Sequence, residues 1–150
     1  MAPRESCDYE SLGGRGLEKQ RILVVEDDVR FREVFERTMG DALAGELLDV
    51  AFVGAGSISE ARARLQEGGL DAALIDVRLP DGDGLDLVRE INDGGVGSPM
   101  PTLVLTAYLD SKVAIRAMDA GAQGALSKVV SVPETTGAII RLIEGGSSEA

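Results

Sequence analysis

Six residues of this chain have side-chain types and positions that could do chemistry together. They are the acids Glu26, Asp27 and Asp76, the hydroxyl of Thr106, the ammonium of Lys128, and Asp28 beside the first pair. Crowded carboxylates repel one another unless a hard cation neutralises them. One or two carboxylates, completed by water and a substrate phosphate, make a magnesium site. A carboxylate beside that magnesium can attack phosphorus and form an aspartyl-phosphate. Phosphoryl transfer then chiefly needs alignment and positive charge on the equatorial oxygens. Mg2+ supplies part of that charge and Lys128 another part, while Thr106 can donate a hydrogen bond. None of this needs histidine, and the chain has none. Its absence excludes Ser/His/Asp and Cys/His triads and most zinc sites.

Such residues act together only if the fold gathers them. Apolar runs occur at 21–25 "RILVV", 47–53 "LLDVAFV", 71–75 "DAALI", 101–105 "PTLVL" and 124–127 "GALS". Stretches with helical spacing lie between and after them, at 29–43, 57–67, 84–92, 111–119 and 133–144. In 111–119, Val113, Ala114, Ala117 and Met118 form one stripe of a helix. Turn segments such as "GAGS" and "NDGGVGSP" separate the elements. The unbroken apolar character of the first four runs predicts strands buried on both faces. Alternating strands and helices predict an α/β fold: a doubly wound, five-stranded parallel sheet with helices on both faces. In the order 2-1-3-4-5 the first, third, fourth and fifth strands are neighbours. Glu26, Asp27, Asp76, Thr106 and Lys128 each follow or end one of these four strands, so they would meet along one edge.

The whole-chain numbers set limits. With 150 residues and 44% hydrophobic content, one domain with a real core is expected. A formal charge of -11 opposes direct binding to nucleic acid or anionic lipid. The single cysteine, Cys7, cannot form an intrachain disulfide and agrees with a reducing cytoplasm. No apolar run approaches the ~20 residues of a membrane span, and no signal-peptide core is seen. Residues 1–19 read as a flexible N-terminal tail, 20–144 as the domain, and 145–150 as a C-terminal tail or the start of a linker.

Two competing patterns require answers. "PDGDGLDLV" partly matches a calcium repeat but occurs once and fails the EF-hand loop at Leu85. Its simpler role is a loop in which Asp83 or a neighbour opens the next helix. "VAFVGAGSISEA" places Gly54 and Gly56 between a strand and a helix, with Asp76 twenty residues after Gly56. This resembles a dinucleotide fingerprint with Ser59 in place of the third glycine. It is the rival reading, and it leaves Glu26, Asp27, Thr106 and Lys128 without a task.

"ILVVEDD", "ALIDVRLPDGDGLDL", "TLVLTAY" and "AMDAGAQGALSK" together resemble the receiver domain of bacterial two-component response regulators. The likeness runs over about residues 20–144 and implies the flavodoxin-like sheet order already expected. It implies Asp76 as phosphoacceptor and Glu26 and Asp27 as the acidic pair holding Mg2+. The Arg78 carbonyl would complete the metal site, Thr106 would sense the phosphoryl group, and Lys128 would contact it. Implied partners are a sensor histidine kinase or phosphotransfer protein, with a homodimer as an option. The 114–128 and 138–146 segments are most similar to receivers that precede a LuxR-type helix-turn-helix domain. The resemblance departs at Ala125, where the family usually has an aromatic, and at Val129, where it often has proline.

Overall fold

The structure, a computed structural model, describes residues 19–148, so the expected flexible tail over 1–19 lies, apart from Lys19, outside the described residues. The chain alternates β1 (Gln20–Val25), α1 (Val29–Gly45), β2 (Val50–Ala55), α2 (Ile58–Glu67) and β3 (Ala72–Asp76). A short hairpin follows, β4 (Arg78–Leu79) with β5 (Gly82–Asp83), and then α3 (Gly84–Asn92). β6 (Thr102–Thr106), α4 (Ser111–Ala120), β7 (Gly124–Ser127) and α5 (Val132–Ser148) complete it. The main sheet is parallel and five-stranded in the order β2-β1-β3-β6-β7, the expected 2-1-3-4-5 when the hairpin is set aside.

Both faces of the sheet are covered, which is why its central strands read as unbroken apolar runs. Successive side chains of a strand point to opposite faces. In β1, Leu23 and Val25 pack with Ile75, Leu65, Leu87 and Ile91 beneath α2, α3 and α4. Ile22 and Val24 face the other way, with Leu74, Phe35, Leu43, Ile139 and Leu142 beneath α1 and α5. Each such aliphatic side chain contributes ~1.5–3 kcal/mol by leaving water. Four helices start at oxygen-bearing caps: Asp28, Ser57, Asp83 and Asp110 each accept from a backbone N–H within the first turn.

Four expectations are corrected. β2 begins at Val50, because Leu47 and Leu48 instead terminate α1: their N–H groups donate to Ala44 O and Leu43 O at 2.9 Å each. Leu47 sits there at φ 63, a left-handed conformation usually given to glycine. β2 is also an edge strand, and five of its six residues are only half-buried, so burial on both faces does not extend to it. On α4, Ala117 and Ala120 face the core and Met118 is 56% exposed, so the expected stripe is rotated toward Ala120. In addition, α5 runs to Ser148, past the expected end at 144, as helix termini are weakly specified by pattern.

Candidate functional site

The parallel register brings the strand ends level. Val25 pairs with Ile75, Asp76 with Leu105, and Thr106 with Ser127. Glu26, Asp76, Thr106 and Lys128 therefore emerge side by side at the carboxyl edge. Asp76 is 7% exposed, Thr106 6% and Glu26 3%, whereas Asp27 is exposed. Carboxylate oxygens of Glu26, Asp27 and Asp76 all lie within 4.8 Å of one another.

Lys128 ties this group together. Its Nζ donates to Asp76 Oδ2 at 3.0 Å and forms an ion pair with Glu26 Oε1. That Glu26 oxygen is enclosed and has the ammonium as its partner. The other oxygen, Oε2, accepts from Asp28 N at 3.0 Å. Lys128 Nζ also lies 4.9 Å from the Phe31 ring centroid, a cation–π contact from the first turns of α1.

The two partners respond unequally. Burial raises the Glu26 pKa above its ordinary value, helped by the Asp76 charge and only partly opposed by Lys128 and the Asp28 amide. Burial works against the Lys128 ammonium as well, but hydrogen bonds to Glu26 and Asp76 and their charges outweigh it, and its pKa is raised. The asymmetry has a simple cause: one ammonium has two carboxylates, and each carboxylate has a share of one ammonium.

Thr106 Oγ1 accepts from Tyr108 N at 3.3 Å, and Thr106 O accepts from Lys128 N at 2.9 Å. The threonine thus joins the loop after β6 to the residue after β7. It does not cap α4, since Asp110 does. Arg78 opens β4 two residues beyond Asp76, with its side chain exposed.

The glycine-aspartate stretch is structural. Asp81 Oδ1 and Oδ2 accept from Ile58 N at 2.8 Å and Ser59 N at 3.0 Å, reaching across to the start of α2. Asp83 caps α3 through Leu85 N and pairs with Arg116 at 2.7 Å. Gly84 is required by closeness, because a Cβ there would run into the Asp76 carbonyl oxygen. The same contacts decide against the dinucleotide reading of Gly54 and Gly56. The amides at the start of α2 that would receive a pyrophosphate already serve the Asp81 carboxylate, and Gly56 N donates to Glu60 Oε1.

Sequence reasoning did not single out Phe31, Gly84 or Asp81 in these roles. For Gly84 a signal existed, a glycine opening a helix just after the Asp76 loop. For Phe31 the partner is remote in sequence and nothing local marks it.

A family model described as the response regulator receiver domain matches residues 22–140. This chain belongs to that family. Among relatives of this receiver, the response regulator protein PilR of Pseudomonas aeruginosa is 37% identical over 116 residues. That match covers 77% of this chain and 24% of PilR. The DNA-binding transcriptional activator DevR/DosR of Mycobacterium tuberculosis is 37% identical over 124 residues, 79% of this chain and 52% of that protein. The receiver therefore spans between about a quarter and about half the length of these relatives. Among solved structures, the signal receiver domain of the response regulator NarL from Mycobacterium tuberculosis superimposes with a TM-score of 0.73 at 28% identity. It covers 85% of this chain and 98% of that one. A CheY-like receiver from Methanospirillum hungatei, at 22% identity and TM-score 0.72, shares the fold, covering 89% of this chain and 100% of that one. The receiver is a signalling domain, and among the described residues no helix is long and apolar enough to cross a membrane.

Proposed function

We propose that this receiver takes a phosphoryl group onto Asp76 and passes the event on as a change of conformation or association. The observation that carries the reading is the position of Asp76: nearly buried, clustered with Glu26 and Asp27, and held 3.0 Å from Lys128 Nζ. Three carboxylates and one ammonium, when ionised, leave two negative charges, which suits a divalent hard cation. Glu26, Asp27, Asp76 and the Arg78 carbonyl would hold Mg2+, which supplies charge on the phosphoryl oxygens when bound.

The chain's own residues do the rest. A carboxylate oxygen of Asp76 attacks phosphorus; the bond to the donor nitrogen or oxygen breaks, and its electron pair leaves with the donor. Burial keeps water from competing at Asp76. Lys128, kept charged by its two acids, accompanies the phosphoryl group, and the Thr106 hydroxyl is placed to donate to it. The donor in the cell would be a phosphohistidine of a sensor kinase or phosphotransfer protein in the cytoplasm. Residues 20–144 would be the working receiver and the residues after it the start of a linker. Tyr108, Ile115 and Met118 leave an apolar face around α4 suited to a second copy or an output domain.

Acetyl phosphate tests the reading directly. The parent protein should become labelled in Mg2+, chelation should stop it, and Asp76→Asn should abolish it. Undiminished labelling of Asp76→Asn would exclude Asp76 as the acceptor.

A further inference from the structure

The glycines that resembled a dinucleotide fingerprint are used by an arginine. A Cβ at Gly54 would stand 2.7 Å from Arg32 Nε and 3.2 Å from Arg32 Cδ, and one at Gly56 would touch Arg32 Nη1 at 3.6 Å. The Arg32 side chain thus leaves α1 and lies along the end of β2, in space that a side chain at 54 would take. Gly54 has no left-handed φ, so room and not backbone freedom is what glycine provides there. At the tip, Nη1 donates to the main-chain carbonyl of Glu26.

That carbonyl shares a peptide plane with the N–H of Asp27. Holding it fixes the plane from which Asp27 departs. The preceding peptide is held too, because Glu26 N donates to Ala55 O at 2.9 Å. The Glu26 side chain is enclosed, but Asp27 is exposed and depends on its backbone for direction.

We propose that Arg32 is a positioning residue for the divalent-cation site, aiming Asp27 through the Glu26 carbonyl, and that Gly54 provides the notch it needs. This rests on the reading of Glu26, Asp27 and Asp76 as metal ligands. A planar guanidinium suits the task, since its stem can lie on a strand while its fork holds an acceptor. Charge alone makes the opposite forecast. A cation near three acids opposes Mg2+, so loss of Arg32 would tighten binding if charge were its whole effect.

The test is calorimetric titration of Mg2+ into the full chain at fixed ionic strength. Arg32→Ala should weaken Mg2+ binding by ~10-fold, the range seen when groups that orient a metal ligand are removed. Gly54→Ala should weaken it in the same direction with no change of charge. The double variant should bind no more weakly than Arg32→Ala, because both changes break one arrangement. Labelling of Arg32→Ala by acetyl phosphate should recover at saturating Mg2+, which a general loss of structure would not allow. Unchanged or tighter Mg2+ binding by folded Arg32→Ala would overturn the role, as would a labelling defect that Mg2+ cannot rescue. If Arg32→Ala does not fold, Gly54→Ala decides alone, and parental affinity there refutes the notch. A parent protein that binds no Mg2+ would remove the metal reading itself, and this inference with it.

Discussion

Lys128 Nζ stands 3.0 Å from Asp76 Oδ2 although fifty-two residues separate them, and the same ammonium meets Glu26 on its other side. One cation therefore serves two acids from two other strand ends, and Asp27 adds a third carboxylate within 4.8 Å of them. The metal-free site carries excess negative charge, and that repulsion is a cost to the fold.

Asp27→Asn should relieve it. In chelator the variant should be more stable than the parent, by up to ~1 kcal/mol because Asp27 is exposed and solvent screens it. Millimolar Mg2+ should stabilise the parent and much less the variant, since only binding to the folded state shifts the balance. Denaturant melts with and without Mg2+ measure both; a variant less stable than the parent in chelator would contradict the repulsion.

Asp81 should matter for stability and not for phosphorylation. Hydrogen bonds from Ile58 N, and then Ser59 N, hold its carboxyl below its ordinary pKa of 3.8. A carboxylate with a depressed folded pKa stabilises above the unfolded value and loses that contribution as pH falls through the folded one. Asp81→Asn should therefore melt at lower temperature than the parent at neutral pH, while keeping acetyl phosphate labelling. The gap should narrow only as pH falls below about 3.8. A gap that closes already near pH 6 would point to another group.

Two glycines should respond in opposite directions. Gly84→Ala drives a methyl against the Asp76 carbonyl oxygen and should destabilise by ~1–3 kcal/mol, with reduced labelling because the acceptor's own backbone must shift. Gly40→Ala lies inside α1 with nothing within 4 Å of the added carbon, and should stabilise by ~0.5–1 kcal/mol. Equilibrium denaturation of the two variants is the check. Equal effects would mean that the close approach at Gly84 is not maintained in solution.

Switching should begin at Thr106. Its hydroxyl accepts from Tyr108 N, so turning toward a phosphoryl group gives up the bond that pins the next loop. Beryllofluoride with Mg2+ should shift the amides of 107–112 and α4 more than that of Ala125, and Thr106→Val should suppress those loop shifts. Ala125 is half-buried and packs against the core, so Ala125→Tyr should destabilise by ~1–3 kcal/mol rather than restore an aromatic switch. Shifts confined to Glu26, Asp27 and Asp76 would mean that this face does not respond.

The sequence by itself determined the fold class, the sheet order and the residues at the strand ends. Those follow from local features: apolar runs of strand length, helical spacing between them, and Asp76 or Glu26 placed where a run stops. Hydrophobic pattern is a property of neighbours in sequence, so it could be read directly. What the tertiary structure decided are pairings across long separations and limits on space. Lys128 over Phe31, Asp81 on the amides of α2 and Arg32 beside Gly54 have no local signature. The acids of "DGDGLD" show the difference most plainly. Their residue types permitted a metal loop, and only the neighbours that folding brought to them made them caps and ties.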